Sequence, residues 1–304
     1  MTTSDIKTRF ENAINNFVNK VKSDPNILSV VLYGSLANDT VWEKSDMDVY
    51  VQVRDMKICM QSFCLEEEGL IINVNMQTEF DFKRMIERSI GGDWTFSMFS
   101  KARVVYAKDE SFKKFMEDFQ EMGEDDRALA FFRQSTWLIG TMEKIEKWLT
   151  VKDDPLYAQL WVLKAAEIYA NMRLILDKKP PSREALLKVM AYDPAAITPI
   201  YEKPMQGKMS KEEVNNALEF YKNFLIDNLD LLKRPVVENM NGGESLTITT
   251  LTKRFGMWSH DIYHIFDFLE EMGVVARVTE IVKITPKSRC EHEEVAFIYF
   301  NDEE

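Results

Sequence analysis

Residues 33–49 read YGSLANDTVWEKSDMDV and connect a β-branched run, Ile27 to Tyr33, to an alternating run, Met47 to Val53. Both runs are predicted to be strands, and Gly34 marks the turn that ends the first of them. Because successive strand residues point to opposite faces, one face of the second strand is expected to be buried and the other polar. The polar face carries Asp46, Asp48, Tyr50 and Gln52.

The chemistry of this segment rests on a carboxylate pair and a glycine turn. Asp46 and Asp48 repel each other on one face unless a cation lies between them, and oxygen ligands of this kind suit Mg²⁺. Gly34 lets the backbone approach a phosphate, and Ser35 offers a hydroxyl and, if it opens a helix, free N–H groups. The pattern predicts a site where Mg²⁺ bridges a nucleoside triphosphate to an attacking hydroxyl for in-line displacement at the α-phosphate.

These residues resemble the nucleotidyltransferase superfamily related to DNA polymerase β, which includes aminoglycoside nucleotidyltransferases and many small prokaryotic relatives. The family pattern is Gly-Ser, a spacer, and then a Ser-Asp-φ-Asp-φ strand, in which φ is an apolar residue. The positions that match it here are Gly34, Ser35, Ser45, Asp46, Asp48 and Val49. The resemblance implies that Asp46 and Asp48 are the catalytic residues and metal ligands. It also implies that Gly34, Ser35 and Ser45 bind the nucleotide.

The sequence departs from this family in two places. Many members have a glycine four residues after the serine, where this chain has Asp39. Family members also place a third carboxylate on a neighbouring strand, whereas the strand predicted from Ile71 to Gln77 shows amides. An amide oxygen can bind a metal but cannot act as a general base. The candidates for the third ligand or base are therefore Asn73, Asn75, Glu79 and Asp81.

Three domains are predicted: a nucleotidyltransferase domain over residues 1–122, a helical domain over 123–240 and a winged-helix-like domain over 241–304. The first is expected to be an α+β domain, a mixed sheet with flanking helices. Its predicted helices are Ser4 to Lys22, a segment around Met56 to Glu67, Glu79 to Arg88 and Glu110 to Met122. Its predicted strands are Ile27 to Tyr33, Met47 to Val53, Ile71 to Gln77 and Ala102 to Ala107.

The rest of the chain is predicted to be mainly helical. Helical periodicity covers Arg127 to Leu149, Leu156 to Asp177, Arg183 to Met190 and Lys211 to Leu232. After Gly242-Gly243, two helices and a hairpin are expected, which is the layout of a winged helix. They cover Thr249 to Phe255, Ser259 to Met272, Val274 to Ile284 and Val295 to Phe300.

The charge of the C-terminal domain disfavours DNA binding. Residues 241–304 contain six basic and twelve acidic residues, a formal charge of -6. The would-be recognition helix, Ser259 to Met272, has four acidic residues and no Lys or Arg, so phosphates would repel it. We expect this domain to contact a protein partner or a second copy of the chain in a homodimer.

Composition points to a cytoplasmic protein that does not bind membranes. The formal net charge is -12, and no apolar stretch approaches the roughly 18 residues that a membrane span needs. The three cysteines, Cys59, Cys64 and Cys290, are odd in number and lack paired spacing, which indicates free thiols in a reducing compartment.

Two functions follow from these observations. The first is a Mg²⁺-dependent nucleotidyltransferase that moves a nucleoside monophosphate from an NTP, such as ATP, to a small-molecule or macromolecular hydroxyl acceptor. The alternative is a catalytically weak nucleotidyltransferase fold that binds a nucleotide and signals through its winged-helix-like module to a protein partner. The amides Asn73 and Asn75 motivate the alternative, and the identity of the base and of the acceptor stays open.

Overall fold

The structure is a computed structural model that describes residues 3–54, 61–89, 94–120, 122–240, 243–287 and 289–299. The chain divides into two compact units, residues 1–123 and residues 124–304. The further division of the second unit into a helical domain and a winged-helix-like domain stays a prediction.

The first unit is a five-stranded sheet with flanking helices, as the α+β prediction requires. Its strands are β1 (Ile27–Tyr33), β2 (Met47–Val53), β3 (Gln61–Glu67), β4 (Leu70–Thr78) and β5 (Arg103–Ala107). Its helices are α1 (Thr3–Val21), α2 (Glu79–Arg88), α3 (Trp94–Phe99) and α4 (Glu110–Phe119). The sheet order is β3-β4-β2-β1-β5, in which β2 and β4 are parallel and the other pairs are antiparallel.

One face of this sheet is covered by α1. The apolar side chains of α1 recur at three- and four-residue steps, so they lie along one side of the helix. Phe10, Ile14 and Phe17 pack there against Met47 and Val49 of β2. This confirms the prediction that the apolar alternation of β2 forms a core.

The opposite face of β2 was expected to be polar, and this prediction is wrong for most of the strand. Tyr50 is buried there with Phe82 of α2, Phe99 of α3 and Phe112 of α4. Gln52 is also buried and accepts a hydrogen bond of 2.6 Å from Ser29 Oγ. The sequence pattern did not predict α3, one of the helices that cover this face.

The predicted helix around Met56 to Glu67 is wrong where the structure describes it. Residues 55–60 lie outside the described residues, and Gln61–Glu67 form β3, an edge strand paired with β4. The hairpin turn is Glu68-Gly69, with φ of 54° and 73°. Two successive residues with positive φ form a turn that matches the twist of the strands in a tight hairpin. The turn therefore favours a strand over residues 61–67 and not a helix.

The second unit begins with the helices α5 (Glu124–Glu146), α6 (Pro155–Leu176), α7 (Ala185–Met190), α8 (Pro194–Ile197), α9 (Lys203–Gln206), α10 (Lys211–Asp227) and α11 (Leu229–Asn239). Two π-helical turns, Lys147–Val151 and Thr198–Glu202, lie between them. The helix predicted from Lys211 to Leu232 is in fact two helices, which meet at Asn228.

The C-terminal part of the second unit has the elements expected from the sequence, with one more strand. They are β6 (Ser245–Thr247), α12 (Ile248–Phe255), α13 (Ser259–Glu271), β7 (Val275–Val282) and β8 (His292–Tyr299). The strands form a sheet of order β6-β8-β7. The winged-helix assignment of this part stays a prediction.

Two further predictions concern membranes and thiols. Among the described residues, no helix is both long and apolar enough to span a bilayer. Cys64 and Cys290 are exposed and form no disulfide bond among the described residues, and Cys59 lies outside those residues.

Candidate functional site

The carboxylate pair lies where β2 begins. Asp46 precedes the strand and is exposed, and Asp48 is its second residue and is half-buried. In the parallel pairing of β2 with β4, Asp48 lies opposite Asn73. The amide nitrogen of Asn73 donates to Asp46 Oδ2 at 2.5 Å and to Asp48 Oδ1 at 3.2 Å. The structure therefore brings three of the predicted site residues together.

The electrostatics of this pair are unfavourable for two anions. Burial raises the pKa of Asp48, the hydrogen bond from Asn73 lowers it, and the charge of Asp46 raises it again. A half-buried carboxylate with a second carboxylate beside it is stabilised by a cation. The two aspartates thus form a site that favours positive charge.

Gly34 brings the turn after β1 against this pair. Its φ is 78°, and a Cβ atom added to it would lie 2.5 Å from Asp48 Oδ2. The backbone conformation disfavours a side chain at this position, and a Cβ atom could be added only if the Asp48 carboxylate moved. The sequence predicted that the backbone of Gly34 comes close to a phosphate. In the structure this backbone lies close to Asp48.

Ser35 begins a series of turns and not a regular helix. The N–H of Asn38 donates to Gly34 O at 3.1 Å, and the N–H of Thr40 donates to Ser35 O at 3.0 Å. Ser35 Oγ is buried and has no hydrogen-bond partner within the described ranges. Because buried hydroxyls are normally paired, this oxygen fits a ligand atom at the turn.

Asp39 lies in the turn after β1, where the family pattern that this segment resembles has glycine. Its φ is 57°, in the left-handed region that favours glycine and that aspartate tolerates better than most residues. The carboxylate also pairs with Lys7 Nζ at 2.6 Å, and this bond lowers the pKa of Asp39. Asp39 therefore has a backbone conformation that a glycine at this position would also adopt.

Ser45 has a local role in the loop before Asp46. Its hydroxyl oxygen accepts from the N–H of Trp42 at 3.0 Å, and its own N–H donates to Trp42 O at 3.0 Å. These bonds hold the loop that leads to the carboxylates. Its predicted contact with a nucleotide stays a prediction.

Asn75 belongs to a second polar group that includes two residues the sequence reasoning missed, Tyr33 and Ser62. Asn75 Nδ2 donates to Tyr33 Oη at 3.0 Å, and Ser62 Oγ donates to Asn75 Oδ1 at 2.7 Å. Tyr33 lies opposite Asp48 in the β1–β2 pairing. The sequence did contain a signal for Tyr33, because it directly precedes Gly34. The last residue of β1 lies at the same end of the sheet as the carboxylate pair.

Tyr33 stays protonated at neutral pH. Burial and the nearby charge of Asp48 raise its pKa to about 12, against the lowering effect of its hydrogen bond with Asn75. Because Asn75 donates to its oxygen, the proton of the Tyr33 hydroxyl is available for another acceptor. Tyr33 is thus a neutral hydrogen-bond donor beside the carboxylates.

Glu79 and Asp81 are not brought to this site. They follow the far end of β4, and the strand from Asn73 to its last residue, Thr78, already spans about 16 Å. Glu79 pairs with Lys83 Nζ at 2.6 Å, and Asp81 accepts from Thr78 Oγ1 at 2.8 Å. Both carboxylates have local partners at the start of α2.

The oxygen atoms that could act as metal ligands at the site fit a divalent cation but carry few negative charges. Carboxylate and amide oxygens are hard ligands of the kind that Mg²⁺ prefers. Within the described ranges, no group of three His, Cys, Asp or Glu side chains is arranged to hold a metal ion. Asp46 and Asp48 would hold such an ion, with Asn73 Oδ1 as the neutral oxygen nearby.

A glycine turn between two antiparallel strands, a carboxylate pair at the start of the second strand and a parallel strand beside it define a nucleotidyltransferase-type domain. Residues 14–111 match the family model described as polymerase beta, nucleotidyltransferase. This segment is therefore a domain of the polymerase β nucleotidyltransferase family.

The fold of the chain is similar to that of a nucleotidyltransferase-like protein from Exiguobacterium sibiricum, whose crystal structure it matches with a TM-score of 0.67. The two sequences are 13% identical, and the match covers 95% of this chain and 99% of that chain. At this identity the likeness concerns the fold alone. None of the curated proteins matches the chain.

Proposed function

We propose that this protein transfers a nucleoside monophosphate from an NTP, such as ATP, to a hydroxyl-bearing acceptor. The observation that supports this function is the convergence of Asp46, Asp48 and the Gly34 turn at one end of the sheet. The family of residues 14–111 agrees with nucleotidyl transfer in general. The acceptor is a small molecule or a macromolecule with a free hydroxyl.

Each group at the site has a part in this reaction. Asp46 and Asp48 would hold Mg²⁺, which supplies the positive charge that stabilises the transferring phosphoryl group. The Gly34 turn offers the unpartnered hydroxyl of Ser35 to the outer phosphates. Tyr33 donates a hydrogen bond beside Asp48 and orients an oxygen of the substrate.

The test is a transfer assay with α-labelled NTPs and a panel of hydroxyl acceptors. Wild type should transfer label in the presence of Mg²⁺, and Asp48→Ala should abolish transfer. The matched control is Glu87→Gln, which changes an exposed carboxylate on α2 and should transfer label as wild type does. Transfer that survives in Asp48→Ala would end the proposal.

A second function is favoured by one observation, the donation of Asn73 to both carboxylates. An amide between the two aspartates supports nucleotide binding without providing a general base. In this case the protein binds Mg-NTP without turnover and signals through its C-terminal module to a protein partner or a second copy. The acidic character of that module disfavours DNA as the partner.

Calorimetric titration with Mg-NTP, run beside the transfer assay, separates the two functions. Binding with turnover supports the transferase, and binding without turnover supports the nucleotide sensor. In the sensor case, size-exclusion chromatography with and without Mg-NTP should show a change in self-association or in the capture of a partner. Absence of any Mg-NTP binding rejects both functions.

A further inference from the structure

The position of the Asn73 amide bears on how many cations the site takes. Its nitrogen lies 2.5 Å from Asp46 Oδ2 and 3.2 Å from Asp48 Oδ1. The amide must face the pair with its nitrogen, because an amide oxygen at these distances would be repelled by both carboxylates. The N–H groups thus neutralise part of the charge that would otherwise attract a metal ion.

The backbone of β4 holds Asn73 in this place. The residues on either side of it, Ile72 and Val74, are buried in the core under α1. The strand pairs in parallel with β2, so that Asn73 lies opposite Asp48, and in antiparallel with β3. Only the side chain of Asn73 is free to turn, and its oxygen can then join a cation between the aspartates.

A second cation lacks a charged ligand. Two-metal sites place both ions a few ångströms apart and need anionic oxygens to bridge and balance them. The two aspartates balance one divalent ion, and Asn73 and Asn75 add no charge. Mg²⁺ is commonly bound by one or two carboxylates together with substrate phosphates, which is what this site offers.

We propose that Asn73 limits this site to one divalent cation, which is bound together with the nucleotide. The proposal rests on the proposed nucleotide site and adds to it the number of ions. A carboxylate in place of Asn73 would complete an anionic triad and admit the second ion. Asn75 makes its bonds to Ser62 and Tyr33 instead, so the same change there should have no such effect.

The test counts Mn²⁺, a paramagnetic probe of Mg²⁺ sites, by electron paramagnetic resonance with a non-hydrolysable NTP analogue at saturation. Wild type should bind one Mn²⁺ per chain, and Asn73→Asp should bind two. Asn75→Asp is the matched control, because it adds the same charge one strand period away, and it should bind one. Asn73→Ala, which removes the amide without adding a carboxylate, should also bind one.

The outcomes separate this inference from the proposed function. Two Mn²⁺ ions per wild-type chain overturn the inference and leave the transferase standing. A single ion in Asn73→Asp, or two in Asn75→Asp, also overturns it, provided that thermal melts show folded proteins. If Asn73→Asp does not fold, the wild-type and Asn73→Ala counts still decide. No binding of Mn²⁺ and analogue by wild type rejects the nucleotide site itself.

Discussion

The two ends of β2 carry polar side chains on the same face and use them differently. At the start, Asp48 is half-buried beside Asp46, Asn73 and the Gly34 turn. At the other end, Gln52 is completely buried and bonded to Ser29. The helices α2, α3 and α4 cover the sheet around Tyr50, and Asp46, just before the strand, is exposed. The comparison shows that a polar residue in an alternating strand is a candidate for binding only where the helices that cover the sheet leave it accessible.

The largest expected effect is at the open end. Asp48→Asn should lower nucleotidyl transfer about 1000-fold or more, since metal binding by this carboxylate supplies several kcal/mol of transition-state stabilisation. The same change should stabilise the fold at neutral pH, because it removes a half-buried charge that is repelled by Asp46. The transfer assay and urea unfolding measure the two effects. A loss of stability in Asp48→Asn, together with the loss of activity, would contradict this separation.

The pH dependence of Asp48 has a definite sign. Its pKa is raised in the folded protein above the ordinary 3.8, so the folded state is penalised when the pH is above that raised value. As the pH falls through the raised pKa towards 3.8, the penalty disappears. The stability advantage of Asp48→Asn over wild type should therefore shrink across this window. An advantage that is constant with pH would show that another cause is at work.

Gly34→Ala should be the next largest change. A positive φ in a residue with a Cβ costs about 1–3 kcal/mol, and the new atom would displace Asp48 Oδ2. We expect the affinity for Mg-NTP to fall about tenfold or more, as measured by calorimetry. Gly140→Ala in α5 is the control, because a Cβ added there meets no described atom within 4 Å beyond the adjacent residues and nearby helix backbone, and it should stabilise the helix. Unchanged affinity in Gly34→Ala would contradict the close approach.

At the closed end of β2, Ser29→Ala should affect stability alone. It leaves the buried Gln52 Oε1 without its donor, which costs about 1–3 kcal/mol in the free energy of unfolding. The affinity for Mg-NTP should stay as in wild type. In the double variant with Gln52→Leu, part of the lost stability should return, because no buried polar group is left unpaired. A loss of nucleotide affinity in Ser29→Ala would remove the distinction between the two ends.

The smallest effect is expected at Asp39. Asp39→Gly keeps the positive φ that the turn requires and should leave nucleotide affinity close to that of wild type, although it removes the exposed ion pair with Lys7. Asp39→Val should lower the affinity and the melting temperature, because a β-branched residue is a steric outlier in this region. Thermal melts and calorimetry of the two variants measure the contrast. Similar behaviour of both would show that the backbone of the turn does not matter.

Sequence reasoning predicted the strands that carry the site and failed on parts that depend on distant contacts. The alternation of β2 and the glycine after β1 are local features, and both strands are where they were expected. The segment 61–67 was assigned to a helix, although the Glu68-Gly69 turn and the pairing with β4 make it a strand. Glu79 and Asp81 were candidates because they are close in sequence to Asn75, yet the direction of β4 carries them to the opposite end of the sheet.

What the amino-acid order specified was the Gly34 turn and the pair Asp46 and Asp48, because a strand, a turn and a strand place these groups within one local structure. The tertiary structure specified which residue of a neighbouring strand lies beside these groups. The parallel register of β4 puts Asn73 opposite Asp48, and no spacing within the sequence encodes that register. It also specified which polar residues are available, since helices from three separate segments cover the face and bury Tyr50. Local geometry is set by neighbours in the chain, whereas pairing and burial are set by residues far apart in it.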